Sequence, residues 1–208
     1  MKKLVLNVIV LALASALFCH GQETQSSSDF SILPEKGDFS VGVDLVPIMQ
    51  IIMGTDNVSE VFPVIAFKNM LSDKSALRSE IMLNYGSVKS EDLGKISTSS
   101  YGLAIGPEWR VGKSRVQGFF GVMGEFMYTK SKDENESGEL TDELSIIGLG
   151  GKLFLGGEYF IAPKFSLGSR VTWGPSWARS TDLDGDQISV FSISAGNVQG
   201  AVMLSYYF

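Results

Sequence analysis

Between residues 39 and 208, large apolar side chains recur at every second position in stretches of roughly ten residues, the period of a pleated strand whose two faces meet different surroundings. No stretch carries a 3.6-residue period, so helices are not expected. Tyr101, Leu103, Ile105, Trp109 and Val111 share one face of the clearest strand, and Gly102, Ala104, Gly106, Glu108 and Arg110 share the other. The next strand alternates Val116, Phe120, Val122, Phe126 and Tyr128 with Gln117, Gly121, Met123, Glu125 and Met127, although Phe119 interrupts the small and polar side. Leu77 to Tyr85, Ile147 to Ile161 and Phe165 to Trp177 follow the same logic, with Arg78, Glu80, Lys152, Glu158 and Arg170 on their smaller-residue faces. Phe39 to Gly54, Phe62 to Asn69 and a final strand in which Val198, Gly200, Val202, Leu204, Tyr206 and Phe208 share a face bring the count to eight.

The connections alternate in length. Short ones follow the second, fourth and sixth strands: Leu71 to Ser75, Gly112 to Ser114, and Ala162-Pro163-Lys164. Longer polar ones follow the other strands, at Thr55 to Glu60, Ser87 to Ser99, Lys130 to Glu143 and Ser180 to Gln187. A meander with tight turns at one end and polar loops at the other is the layout of a transmembrane β-barrel. The expected fold is all-β: an eight-stranded antiparallel up-and-down transmembrane barrel over residues 39–208.

A soluble sandwich also alternates, but it turns its large apolar residues inward and its charges to water. Here the smaller-residue faces carry Asp44, Glu80, Glu108, Glu125 and Glu158 against Arg78, Arg110, Lys152 and Arg170. So nearly balanced a set suits a narrow interior, where unpaired charges would cost several kcal/mol and paired ones avoid most of that cost. These nine residues are the expected interior ion-pair network. The glycines that share their faces leave room for long charged side chains.

The chain begins Met1-Lys2-Lys3, followed by an uncharged apolar run from Leu4 to Phe18 interrupted only by Asn7 and Ser15, and then Cys19-His20-Gly21. That is the pattern of an export signal over residues 1–21, cut after Gly21. A lipidated Cys19 is the competing reading, opposed by the bulky Phe18 before it. Residues 22–38, with Ser26-Ser27-Ser28 and Pro34, read as a flexible periplasmic leader. Removing residues 1–21 leaves 15 basic against 23 acidic side chains, a formal charge of −8, and takes away the one cysteine and the one histidine.

Those losses narrow the chemistry. Nucleophile activation in barrel hydrolases and acyltransferases leans on a histidine, and the exported chain has none. The acidic balance opposes nucleic-acid binding. Gly148-Leu149-Gly150-Gly151-Lys152 lacks the spacing and the hydroxyl residue of a phosphate loop. Asp182, Asp184 and Asp186 read as a solvated acidic loop rather than an EF-hand, whose glycine comes sixth and whose last ligand is Glu. No catalytic residue, cofactor or metal site is assigned.

The alternating strands, the short turns and the ending Leu204-Ser205-Tyr206-Tyr207-Phe208 resemble the small outer-membrane β-barrel family of the OmpA/OmpX kind. The resemblance implies location in the outer membrane, lipid and the barrel-assembly machinery as partners, and a monomer. It also implies that Leu204, Tyr206 and Phe208 act as the assembly signal; Met203 stands where the family's pattern has glycine. Function is not implied, because this fold hosts many. With eight strands the interior fills with side chains, so a structural or surface-interaction role is expected, and a narrow channel for small solutes or ions is the alternative.

Overall fold

A computed structural model describes residues 32–53, 64–90, 94–135, 139–193 and 198–208. The expected export signal, and the leader as far as residue 31, lie outside the described residues. The elements are β1 (Phe39–Asp44), α1 (Leu45–Met53), β2 (Val64–Ser72), β3 (Ser75–Ser90), β4 (Gly94–Val111), β5 (Val116–Glu134) and β6 (Leu140–Ala162). They continue through β7 (Phe165–Trp173), β8 (Ser176–Thr181), β9 (Gln187–Ser192) and β10 (Gln199–Tyr207).

Every pairing is antiparallel, and the ring closes. Neighbours pair from β1 to β6; β6 pairs with β7 and β8, β8 with β9, β7 with β10, and β10 with β1. β7 and β8 lie along one line against β6, with Leu153 opposite Trp173 and Gly150 opposite Ser176. The break falls at Gly174-Pro175, where proline has no N–H to offer the ladder. β9 and β10 likewise flank that line, so ten strand segments make eight staves.

The staves differ in length for a physical reason. A membrane crossing needs about 9–11 tilted residues, yet β3 to β6 run to 16, 18, 19 and 23. The long connections expected at Ser87 to Ser99 and Lys130 to Glu143 are therefore mostly strand, extending the wall past the apolar band. The first strand stops at Asp44 instead of running to Gly54. Asp44 Oδ1 accepts the Val46 N–H at 3.0 Å and so caps α1, whose third residue is Pro47.

Side-chain alternation decides inside from outside. Phe119 lies on the inward face of β5, where its ring meets Phe154 at 6.3 Å between centroids. Glycine makes both rings possible: a Cβ on Gly121 would stand 2.4 Å from Phe154 Cζ, and one on Gly156 2.5 Å from Phe119 Cζ. The residue that interrupted the sequence pattern is thus an interior packing residue.

The tight-turn end is sealed by the stretch before β1. Ile32 and Leu33 pack against buried Met70, Ala76, Phe160 and Tyr207. Gly37 N–H donates to Met70 O at 2.8 Å, Lys36 N–H to Asp73 Oδ1 at 3.1 Å, and Lys164 pairs with Asp38. Of the leader expected over residues 22–38, residues 32–38 are built into the barrel's end.

Candidate functional site

The interior nearest the tight turns is a charged plug. Glu108 on β4 is completely buried (0% exposed), as are Arg78 on β3 (1%) and Glu158 on β6 (3%). Arg78 donates from Nε to Glu80 Oε1 at 2.6 Å and from Nη1 to Glu108 Oε2 at 3.0 Å. Arg110 Nη2 reaches Glu158 Oε2 at 2.6 Å, and Lys68 Nζ reaches the same oxygen at 3.2 Å. Ser166 Oγ donates to Glu158 Oε1 at 2.5 Å, and Arg170 pairs with Glu80. Tyr207 Oη accepts from Arg110 Nη1 at 2.8 Å and from Lys68 Nζ at 3.0 Å.

These contacts cross the lumen. Lys68 on β2 and Glu158 on β6 are four staves apart around a ring of eight, and so are Arg170 on β7 and Glu80 on β3, and Arg110 on β4 and Tyr207 on β10. Each pair joins opposite walls. The rings close the gaps between charges, with Lys68 Nζ 5.0 Å from the Phe119 centroid and Arg78 Cζ 5.5 Å from that of Phe154. Three polar atoms in this layer, Arg78 Nη2, Arg170 Nε and Glu108 Oε1, carry no hydrogen bond, although Glu108 Oε1 lies 3.4 Å from Lys68 Nζ.

Of the nine expected network residues, Arg78, Glu80, Glu108, Arg110, Glu158 and Arg170 come together in the plug. Glu125 and Lys152 pair with each other at 2.6 Å as a separate, half-buried couple nearer the long-loop end, where Lys152 Nζ also meets Gln199 Oε1 at 3.4 Å. Asp44 joins no ion pair among the described residues; it caps α1 and accepts the Val202 N–H at 3.3 Å.

The outer face has a sharp boundary. Toward the long loops, the continuous apolar or aromatic outward runs end at Tyr85 on β3, Tyr101 on β4, Tyr128 on β5, Ile147 on β6, Trp177 on β8 and Phe191 on β9, with Leu140, opposite Glu134, as an apolar residue past that line. Two residues further stand Ser87, Ser99, Lys130, Ser145, Arg179 and Ser189. On β5 the apolar run from Val116 to Tyr128 covers about 40 Å of strand, or about 30 Å of height at a tilt near 40°, which matches a bilayer's hydrocarbon thickness. Trp109, Trp173 and Tyr159 share that outward face.

Along 85% of its length the chain superposes on 98% of the outer membrane protein OprG of Pseudomonas aeruginosa, with a TM-score of 0.50 and 14% identity. It has the fold of a small outer-membrane β-barrel. E. coli outer membrane protein W superposes with a TM-score of 0.49 and 14% identity over 85% of this chain and all of that one. Ail, the attachment invasion locus protein of Yersinia pestis, gives 0.44 and 11% over 83% and 98%. No family model and no curated protein matches the chain.

In this barrel Leu204, Tyr206 and Phe208 point outward at the seam. Phe39 and Phe208 exchange backbone hydrogen bonds of 3.0 and 2.9 Å, and the Phe208 ring lies 5.4 Å from Phe39 and 6.0 Å from Tyr206. Met203 faces inward, packed with Ala66 and Ala201. The Asp182–Asp186 segment is a hairpin turn in which Asp182 Oδ1 accepts the Asp186 N–H at 2.8 Å, so one of its three carboxylates already serves the backbone. Beyond the apolar band, hydrogen bonding between Lys130 and Glu143 (Nζ to Oε1 2.5 Å) raises the lysine's pKa and lowers the carboxyl's.

Lys68, Ser166, Tyr207 and Gln117, whose Oε1 accepts from Arg110 Nε at 3.0 Å, are plug residues beyond the nine expected for the network. Alternation carried the signal for two of them: Ala66, Lys68 and Met70 alternate with Ile65, Phe67 and Asn69, and Met203, Ser205 and Tyr207 with Leu204, Tyr206 and Phe208.

Proposed function

We propose that the protein is a non-enzymatic integral protein of the outer membrane with a structural or surface-interaction role, its lumen closed by its own side chains. The interlocked plug carries this reading. It is supported by contacts that join opposite walls, among buried residues, around Phe119 and Phe154. In planar bilayers the purified barrel is expected to give no steady openings; reproducible unitary conductance would overturn the closed-lumen reading. A narrow channel for small solutes or ions is the second reading, favoured by the three buried polar atoms of the plug that lack hydrogen bonds.

Leu204, Tyr206 and Phe208 serve in this reading as the contact for the barrel-assembly machinery. Support comes from their common outward face on the strand that closes the ring. Phe208→Ala is expected to lower the assembled, heat-modifiable fraction far more than removal of Gln22 to Ser28; equal assembly would refute the role.

A further inference from the structure

We propose that the outward rim of β5, β6 and β8 is a docking site for the phosphates of the outer leaflet's glycolipid, lipid A, with Lys130, Lys132 and Arg179 as the anion-recognising groups. The proposal rests on the outer-membrane reading above.

The exported chain is acidic by sequence, yet its cations are not spread evenly. Past the apolar boundary, the outward positions of β3, β4, β5 and β8 hold Lys89, Lys95, Lys130, Lys132 and Arg179, and the acids sharing that outer face on the described strands are Glu134 and Glu143. The remaining acids among the described residues of these hairpins lie elsewhere. Asp133 and Asp142 oppose each other on the inward face, while Glu139, Asp182, Asp184 and Asp186 belong to the tips. Between the cations the rim offers hydroxyls: Ser97, Ser99, Ser145 and Thr181.

Height selects the ligand. Lys130 stands two residues beyond Tyr128 and Arg179 two beyond Trp177, about 7 Å of strand past the last rings. Aromatic rings mark the edge of the hydrocarbon, so these cations sit in the layer where lipid phosphates lie. The Arg179 guanidinium lies 5.3 Å from the Trp177 centroid and donates to Ser189 Oγ at 3.3 Å, which holds it against the wall.

Spacing favours a headgroup with more than one phosphate. Ser145 on β6 is the register partner of Lys130 on β5 and of Thr181 on β8, two residues from Arg179. Arg179 itself pairs with Ile147, so Lys130 and Arg179 stand two strands apart and two residues along, about 12 Å between backbones, with the Ser145 hydroxyl beside Lys130. Glu143 is shared by Lys130 at 2.5 Å and Lys132 at 3.6 Å, so one carboxylate partly offsets two ammonium groups and the cluster stays positive. Arginine supplies a planar fork that binds phosphate through two parallel hydrogen bonds.

The test uses the full exported chain refolded in phosphatidylcholine nanodiscs doped with bisphosphorylated lipid A, with its dephosphorylated form, or with phosphatidylglycerol. Lipid retained after extraction is read by native mass spectrometry. The wild type is expected to keep bisphosphorylated lipid A at least tenfold better than either of the others, and less of it at high salt. K130Q/K132Q/R179Q is expected to fall to the level of the dephosphorylated lipid, while K74Q/K113Q/R115Q, changed at the tight turns, keeps the wild-type level. Equal retention of the phosphorylated and dephosphorylated forms by the wild type overturns the site, as does equal retention of phosphatidylglycerol or an unchanged rim variant. Failure to insert into any disc would overturn the membrane reading itself, whereas insertion without discrimination overturns the rim site alone.

Discussion

Val122→Arg is expected to destabilise the barrel by about 2–4 kcal/mol in a phospholipid bilayer, measured by reversible urea unfolding. Val122 is the central outward residue of the apolar run on β5, is 41% exposed, and has Leu153 of β6 as its neighbour. Placing a guanidinium there moves a charge from water to the middle of the hydrocarbon. The same substitution on a water-facing sheet exchanges an exposed valine for a solvated side chain, with an effect within about 0.5 kcal/mol. Direction and size therefore separate lipid from water outside this wall. Lys130→Leu, beyond the boundary, serves as the comparison and is expected to leave stability nearly unchanged.

Glu158→Ala is expected to cost about 3–5 kcal/mol, because it leaves buried cations without their shared acceptor. Arg110 and Lys68 both terminate on Glu158 Oε2, and Ser166 and Tyr207 donate to the same carboxylate. With the carboxylate gone, Lys68 and Arg110 have Glu108 as their remaining acid, and Arg78 already claims that side chain. Adding Lys68→Met to Glu158→Ala removes one surplus charge and is expected to recover part of the loss. A simple cavity would not be repaired by a second change on the opposite wall, so a positive coupling in the double-mutant cycle isolates the electrostatic part. If Glu158→Ala unfolds no more easily than the wild type, the plug does not hold the barrel together.

The legibility of this fold followed the contrast between its two surroundings. Where one face meets lipid and the other a packed interior, as from Tyr101 to Val111, alternation placed every side chain correctly. Past the bilayer both faces are wet, so Ser87 to Ser99 loses its period and reads as loop although the ladder runs on to Ser90 and Gly94. Leu45 to Met53 failed for the opposite reason: its residues are apolar at nearly every position, which leaves no period to detect. The inward set could be listed from sequence, but which members touch depends on register and stagger around the ring. Hence Glu125 and Lys152 form an interior ion pair apart from the other members, and Asp44 meets none of the ion pairs among the described residues.

The central claim is that the outward face of these strands lies in a bilayer around a filled interior. Expressed without residues 1–21 the chain has no cysteine, so single spin labels can be introduced cleanly at Phe120, Val122, Phe126, Lys130 and Lys132. The account predicts that in lipid vesicles labels at 120, 122 and 126 collide freely with oxygen and hardly with a water-soluble nickel chelate, and that the preference reverses at 130 and 132. Nickel access at 122 equal to that at 132 would contradict it.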